Sequence, residues 1–208
     1  MPIADPVPAL ERDVYWEWVR AEIDVPAGSP RYGDRRDHGL DERRRSLLAR
    51  GERSALDRSD WEALGLAFRR LRGDYLDPLL DTGTEWYYGE LPLDELSAVR
   101  IPNLTISLVP LAPTRRLDDY VAALDSGRET PGVPNHLVYR FLRPIYDPAR
   151  VRGCPILVAE RRDGPYVLAE GLTRASVLVS RHVRGEPGPL SIRILLGVSP
   201  RVVDWRWW

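Results

Sequence analysis

Lysine is absent from this chain, so all 30 of its basic residues are arginine. That absence excludes any mechanism built on a lysine, including a Walker-type phosphate loop, a Schiff base and a Ser-Lys dyad. Cysteine occurs once, at Cys154, which rules out an internal disulfide. The three histidines, His38, His136 and His182, stand far apart and show no Cys/His spacing of the kind zinc requires. An excess of one charge is also lacking. The 30 arginines face 31 acidic residues for a formal net charge of -1, so no overall field draws the chain toward nucleic acid or acidic membranes. No apolar run approaches the roughly 18 residues needed to span a bilayer. The opening MPIADPVPALERD has neither the basic start nor the apolar stretch of a signal peptide, and a reduced, cytoplasmic setting is expected.

What is present suits a globular chain: 208 residues, 43% hydrophobic and 29% charged. That length accommodates one ordinary domain, or a small domain with a helical extension. The first third reads as helical. Leu10, Val14, Trp18 and Ala21 form an apolar stripe of helical period over Ala9 to Ile23. Pro26, Gly28, Pro30 and Gly33 then mark a loop, and Asp41 to Arg50 reads as a solvated helix. Ser59 and Glu62 have the spacing of a capping box. The helix they would open is expected to end at Gly73 and to bury Trp61, Leu64, Ala67, Phe68 and Leu71.

The pattern changes near Asp81-Thr82-Gly83. Shorter elements follow: strands at Glu90 to Leu93 and Leu104 to Leu108, a helix over Leu117 to Leu124 ending toward Gly127, and a short element at Val138 to Leu142. The strongest local signal comes next. Ile156 to Ala159 and Tyr166 to Ala169 are apolar runs either side of Asp163-Gly164, a hairpin cue. Glu170-Gly171-Leu172 leads into a helix over Thr173 to Val183, closed by Gly185, and Leu190 to Val198 reads as a final strand. The fold class expected is α+β, with a helical N-terminal region over residues 1–80 and an α/β domain with a small mixed sheet over 85–208.

The turn Glu170-Gly171-Leu172-Thr173-Arg174 has the parts of an anion site. A helix N-terminus offers free N–H groups and the positive end of the dipole, glycine lets a ligand approach, and arginine presents a planar fork to phosphate. The plain alternative is a strand-glycine-helix junction with a solvated arginine. The run PILVAERRDGPYVLAEGLTRASVLVSRHVRG resembles the core of the ParB/sulfiredoxin superfamily, whose second hairpin strand enters a short acidic-Gly-x-x-Arg motif. The peroxiredoxin-reducing members carry a catalytic cysteine in this turn, and none stands here.

That resemblance implies a phosphate-bearing ligand or nucleotide held by Gly171, Leu172, Thr173 and Arg174, with Arg115 and Arg116 as further anion contacts. Glu170 and Glu90 are the candidate acids that would position a nucleophile or a Mg²⁺ carried with the nucleotide. Haem, flavin and zinc are not expected. Three functions stay open: a nucleotide-binding protein with phosphotransferase or hydrolase activity, a DNA-associated nuclease or partition-like module, and a non-catalytic binding module. For the second, Arg43, Arg44, Arg45, Arg50 and Arg53 would supply the basic face. A protein partner could engage the terminal Trp205, Trp207 and Trp208, whose alternative is packing on the chain's own N-terminal helices. No membrane partner is expected.

Overall fold

The computed structural model describes residues 3–23, 39–81, 83–103, 111–128 and 153–208, without the side chains of 23 and 71–74. The expected elements at Leu104 to Leu108 and Val138 to Leu142, with His38 and His136, lie outside the described residues. Five strands form one mixed sheet in the order β1-β2-β5-β3-β4. They are β1 (Ala4–Ala9), β2 (Glu85–Pro92), β3 (Ile156–Ala159), β4 (Val167–Glu170) and β5 (Ser191–Val198). Only β3 and β5 run parallel, and the other neighbours are antiparallel. The described helices are α1 (Glu11–Ile23), α2 (Glu42–Arg50), α3 (Arg58–Leu80), α4 (Leu93–Ala98), α5 (Leu117–Asp125) and α6 (Leu172–Val183). The fold is α+β, as its sequence pattern predicts.

The alternation of side chains along the strands places one core on each face of the sheet. Leu157, Ala159, Leu168, Ile194 and Leu196 pack with α4, α5 and α6. Ile156, Val158, Val167, Ala169 and Leu195 face the other way, toward α1, α2 and α3. This explains the unbroken apolar run of β3: all four of its residues are buried, as a strand covered on both faces requires. Helices α1, α2 and α3 therefore share one core with the sheet.

Local expectations hold where the signal is strong. The β3–β4 hairpin forms, with its return strand at Val167–Glu170 rather than Tyr166 to Ala169 and Gly164 at a φ of +85°, and α6 follows Gly171 directly. Helix α5 ends as expected, with Gly127 in the left-handed region. Three readings are corrected. The N-terminal region opens with a strand, β1, whose exposed residues occupy the sheet edge, where Pro6 and Pro8 need give no ladder bond on the open side. The cap of α3 is Asp57, not Ser59: the Asp57 side chain accepts from Asp60 N–H and the Asp60 carboxylate from Asp57 N–H. Asp60 is fully buried and also paired with Arg43 and Arg44 of α2, so the acid with tertiary partners takes the reciprocal role from Glu62. Helix α3 also continues through Gly73 to Leu80, because Leu76 and Leu79 beyond it reach the second core.

The tryptophan tail packs on its own chain. Trp205 is 2% exposed, its indole N–H donates to the Tyr75 carbonyl at 2.8 Å, and Trp205 and Trp207 both contact the Tyr75 ring. Among the described residues no helix is long and apolar enough to cross a membrane.

Candidate functional site

A cleft of about 350 Å³ opens beside the N-terminal ends of the parallel pair β3 and β5. Helix α1 contributes Glu17 and Arg20, the segment before β3 contributes Gly153, Cys154 and Pro155, α6 contributes Arg174 and Leu178, and β5 contributes Ser191 and Arg193. Three guanidinium groups thus come to one cavity from elements far apart in sequence.

Glu17 organises the floor. It sits among the tryptophans of α1 and is 5% exposed. One carboxylate oxygen accepts from the Tyr88 hydroxyl at 2.9 Å, and the other accepts from the Cys154 main-chain N–H at 3.0 Å. Burial, and then the Glu17 charge, push the Tyr88 hydroxyl well up from its ordinary pKa. Burial and Glu17 also push the Cys154 thiol up, while the charges of Arg174 and Arg193 pull against that rise. Cys154 is therefore a protonated, buried thiol rather than a nucleophile. Arg193 lies over the Tyr88 ring at 4.1 Å. Arg20 lies over Trp16 at 5.0 Å and donates to the Leu48 carbonyl at 3.2 Å.

Arg174 differs from the solvated first-turn arginine of the plain reading. Its side chain is 11% exposed, donates to the Gly153 carbonyl at 3.2 Å and pairs with Glu170 at 3.8 Å. It folds back over its own turn. A Cβ added at Gly171, where φ is +95°, would come 3.1 Å from the Arg174 guanidinium and 3.2 Å from Pro155 Cα. A Cβ at Gly153, at φ +74°, would come 2.4 Å from the Glu17 carbonyl. Glycine is required at both places because the segment 153–155 threads between α1 and Arg174.

Of the anion contacts and acids expected from the sequence, Arg174 alone lines the cleft. Gly171 caps α6, Thr173 is buried and Leu172 packs against the first core, so the turn itself is filled by protein. Arg115 is an anchor. Held at a φ of +61°, it donates to the main-chain oxygens of Ile101 and Trp208. Arg116 pairs with Asp118 at the start of α5. Neither lines the cleft. Glu90 accepts from Ser191 at 3.0 Å, and it stands on β2, three strand spacings or about 14 Å from the β4 strand of Glu170. The two acids do not meet. Glu17, Glu90 and Glu170 are each engaged by different partners, and among the described residues no group of three metal-binding side chains is found.

Glu17, Arg20, Cys154 and Arg193 enter the site from outside the expected motif. Only Glu17 left a local trace, an acid flanked by Trp16 and Trp18 on a helix whose residues 13–19 are all buried. No protein-family model, curated protein or solved structure matches the chain.

Proposed function

We propose that this protein binds a phosphate-bearing small molecule in the cleft lined by Arg20, Arg174 and Arg193. The observation that carries the reading is the state of those cations. Arg174 is partnered by Glu170, whereas Arg20 and Arg193 pair with no carboxylate among the described residues and instead lie over aromatic rings. A guanidinium held in place but not neutralised offers a ready fork to phosphate oxygens at small ordering cost. Leu178, Ile192, Pro155 and Pro189 give the same cleft apolar walls, the usual composition of a small-molecule site. The ligand class is the one that the ParB/sulfiredoxin resemblance implies, with the contacts shifted from the Gly171 turn to three converging arginines.

The reading is one of binding. Both oxygens of Glu17 already accept hydrogen bonds and Glu170 faces Arg174, so neither is placed to take a proton from a nucleophile. The DNA-associated alternative has less support, because Arg43, Arg44, Arg50 and Arg53 are paired with Asp60, Asp41, Glu52 and Asp13.

The test is calorimetric titration of inorganic phosphate and a nucleotide panel into wild type, Arg193→Ala and Arg174→Ala. Arg193→Ala should weaken binding by about 1.5–3 kcal/mol and leave the melting temperature nearly unchanged. Arg174→Ala should lower both, since it strips the Gly153 carbonyl and Glu170 of a buried partner. Equal affinity for wild type and Arg193→Ala would refute the assignment.

A further inference from the structure

The charge of the arginine cleft can be counted from the partners of its side chains. Arg174 is offset by Glu170 at 3.8 Å. Arg20 and Arg193 lie over Trp16 and Tyr88 and pair with no carboxylate among the described residues. The buried Glu17 carboxylate lines the same cleft and offsets one of those two. It is held in place, because the Tyr88 hydroxyl and the Cys154 main-chain N–H each engage one of its oxygens. Its charge and those of Arg174 and Arg193 all act on the Cys154 thiol, so the three face one small volume. The adjoining pocket, which shares Leu178 and Pro189, adds no unbalanced cation: Arg181 pairs with Glu186 at 3.1 Å, and His182 lies 2.7 Å from Asp94. One positive charge is left uncompensated in the cleft.

That balance limits the charge of the anion the cleft takes. The first negative charge of a ligand neutralises the site. A second meets a site already balanced, and nothing repays the water it gives up. It would also share a cleft of about 350 Å³ with the fixed Glu17 carboxylate, and like charges that close disfavour the complex. A phosphate monoester carries nearly two charges at neutral pH, since its second pKa is about 6, whereas a diester carries one. The two ester oxygens of a diester bear carbon, which Pro155, Leu178, Pro189 and Ile192 can cover.

Resting on the phosphate site proposed above, we infer that Glu17 and Glu170 make the cleft selective for a small, singly charged phosphate diester over a doubly charged monoester. The floor of the cleft is recessed, with Glu17 and Cys154 buried. That favours a free small molecule over the same diester fixed on a lipid surface or in a nucleic-acid strand.

The test is calorimetric titration at about pH 7.5, where the monoester is doubly charged. The probes are 4-nitrophenyl phosphate, its methyl diester and the isosteric 4-nitrophenyl sulfate, the last two singly charged. Both singly charged esters should bind wild type at least about tenfold tighter than the monoester. Glu17→Gln and Glu170→Gln each add one uncompensated cation, so each should bring the monoester level with the other two or ahead of them. Melting temperatures check that the variants fold, and the wild-type comparison needs no variant. A monoester that binds wild type as tightly as the singly charged esters would overturn the inference. So would a preference that survives in either folded variant. Phosphatidylglycerol vesicles and a single-stranded oligonucleotide should not displace the diester, and displacement by either would overturn the small-molecule source. Failure of all three esters to bind would overturn the phosphate site itself.

Discussion

Tyr88, Glu17 and Cys154 form one buried alkali-sensitive cluster, and their surroundings set how the protein responds to rising pH. The Cys154 thiol and the Tyr88 hydroxyl are both pushed up by burial and by the Glu17 charge, and the Tyr15 hydroxyl is raised by burial and Glu11. For such groups the unfolded chain releases its protons first, so raising the pH favours unfolding. Stability should be level up to the thiol's unfolded pKa of about 8.5, fall between there and about 10, and fall faster once unfolded tyrosine ionises. Urea midpoints measured from pH 7 to 10.5 would show this. Cys154→Ala should remove the first decline and keep the second. A single decline beginning only above pH 10 in wild type would mean that the thiol is not held as described.

At the scale of the element, the start of α3 separates a local signal from a tertiary one. Ser59 donates only to Asp57, and Glu62 pairs with Arg58 in solvent. Asp57 and Asp60 close the capping box, and Asp60 is held below the ordinary carboxylate range chiefly by Arg43. Ser59→Ala should change stability by less than about 0.5 kcal/mol. Asp57→Ala should cost about 1 kcal/mol as the loss of a cap, and Asp60→Ala about 2–3 kcal/mol because two arginines also lose their buried partner. Chemical denaturation of the three variants would give that order. Ser59→Ala as the most damaging would restore the cap expected from spacing.

For the whole molecule, the tail ties helix α3 to the segments at Asn103 and Arg115. Trp205 fills a place against Tyr75 of α3, the Trp207 carbonyl accepts from Asn103 N–H, and the Trp208 oxygen accepts from Arg115. The positive φ of Arg115 is sustained by those bonds. Deleting the last four residues should cost about 3–5 kcal/mol, the usual loss for a buried tryptophan. In a chain of this size that lowers the melting temperature by on the order of 10 °C. An unchanged melting temperature would return the tryptophans to the role of a docking segment for a partner.

The sequence by itself determined the elements whose signals are local. Two apolar runs around Asp163-Gly164 specify the β3–β4 hairpin, Gly171 marks the entry to α6, and the unbroken run Ile156 to Ala159 calls for cover on both faces. Each depends on contacts between near neighbours, which periodicity and turn chemistry record. Tertiary structure decided the rest. Pro6 and Pro8 argue against a strand until an edge position beside β2 leaves their missing donors facing outward. Gly73 argues for a helix end until Leu76 and Leu79 find the second core. The cleft lay furthest from view: Glu17 and Cys154 are joined by a hydrogen bond across 137 positions, and Arg20, Arg174 and Arg193 meet only because the end of α1 and the starts of α6 and β5 lie at one place. Residues that far apart leave no shared local pattern, since only the packed sheet brings their side chains within reach of one another.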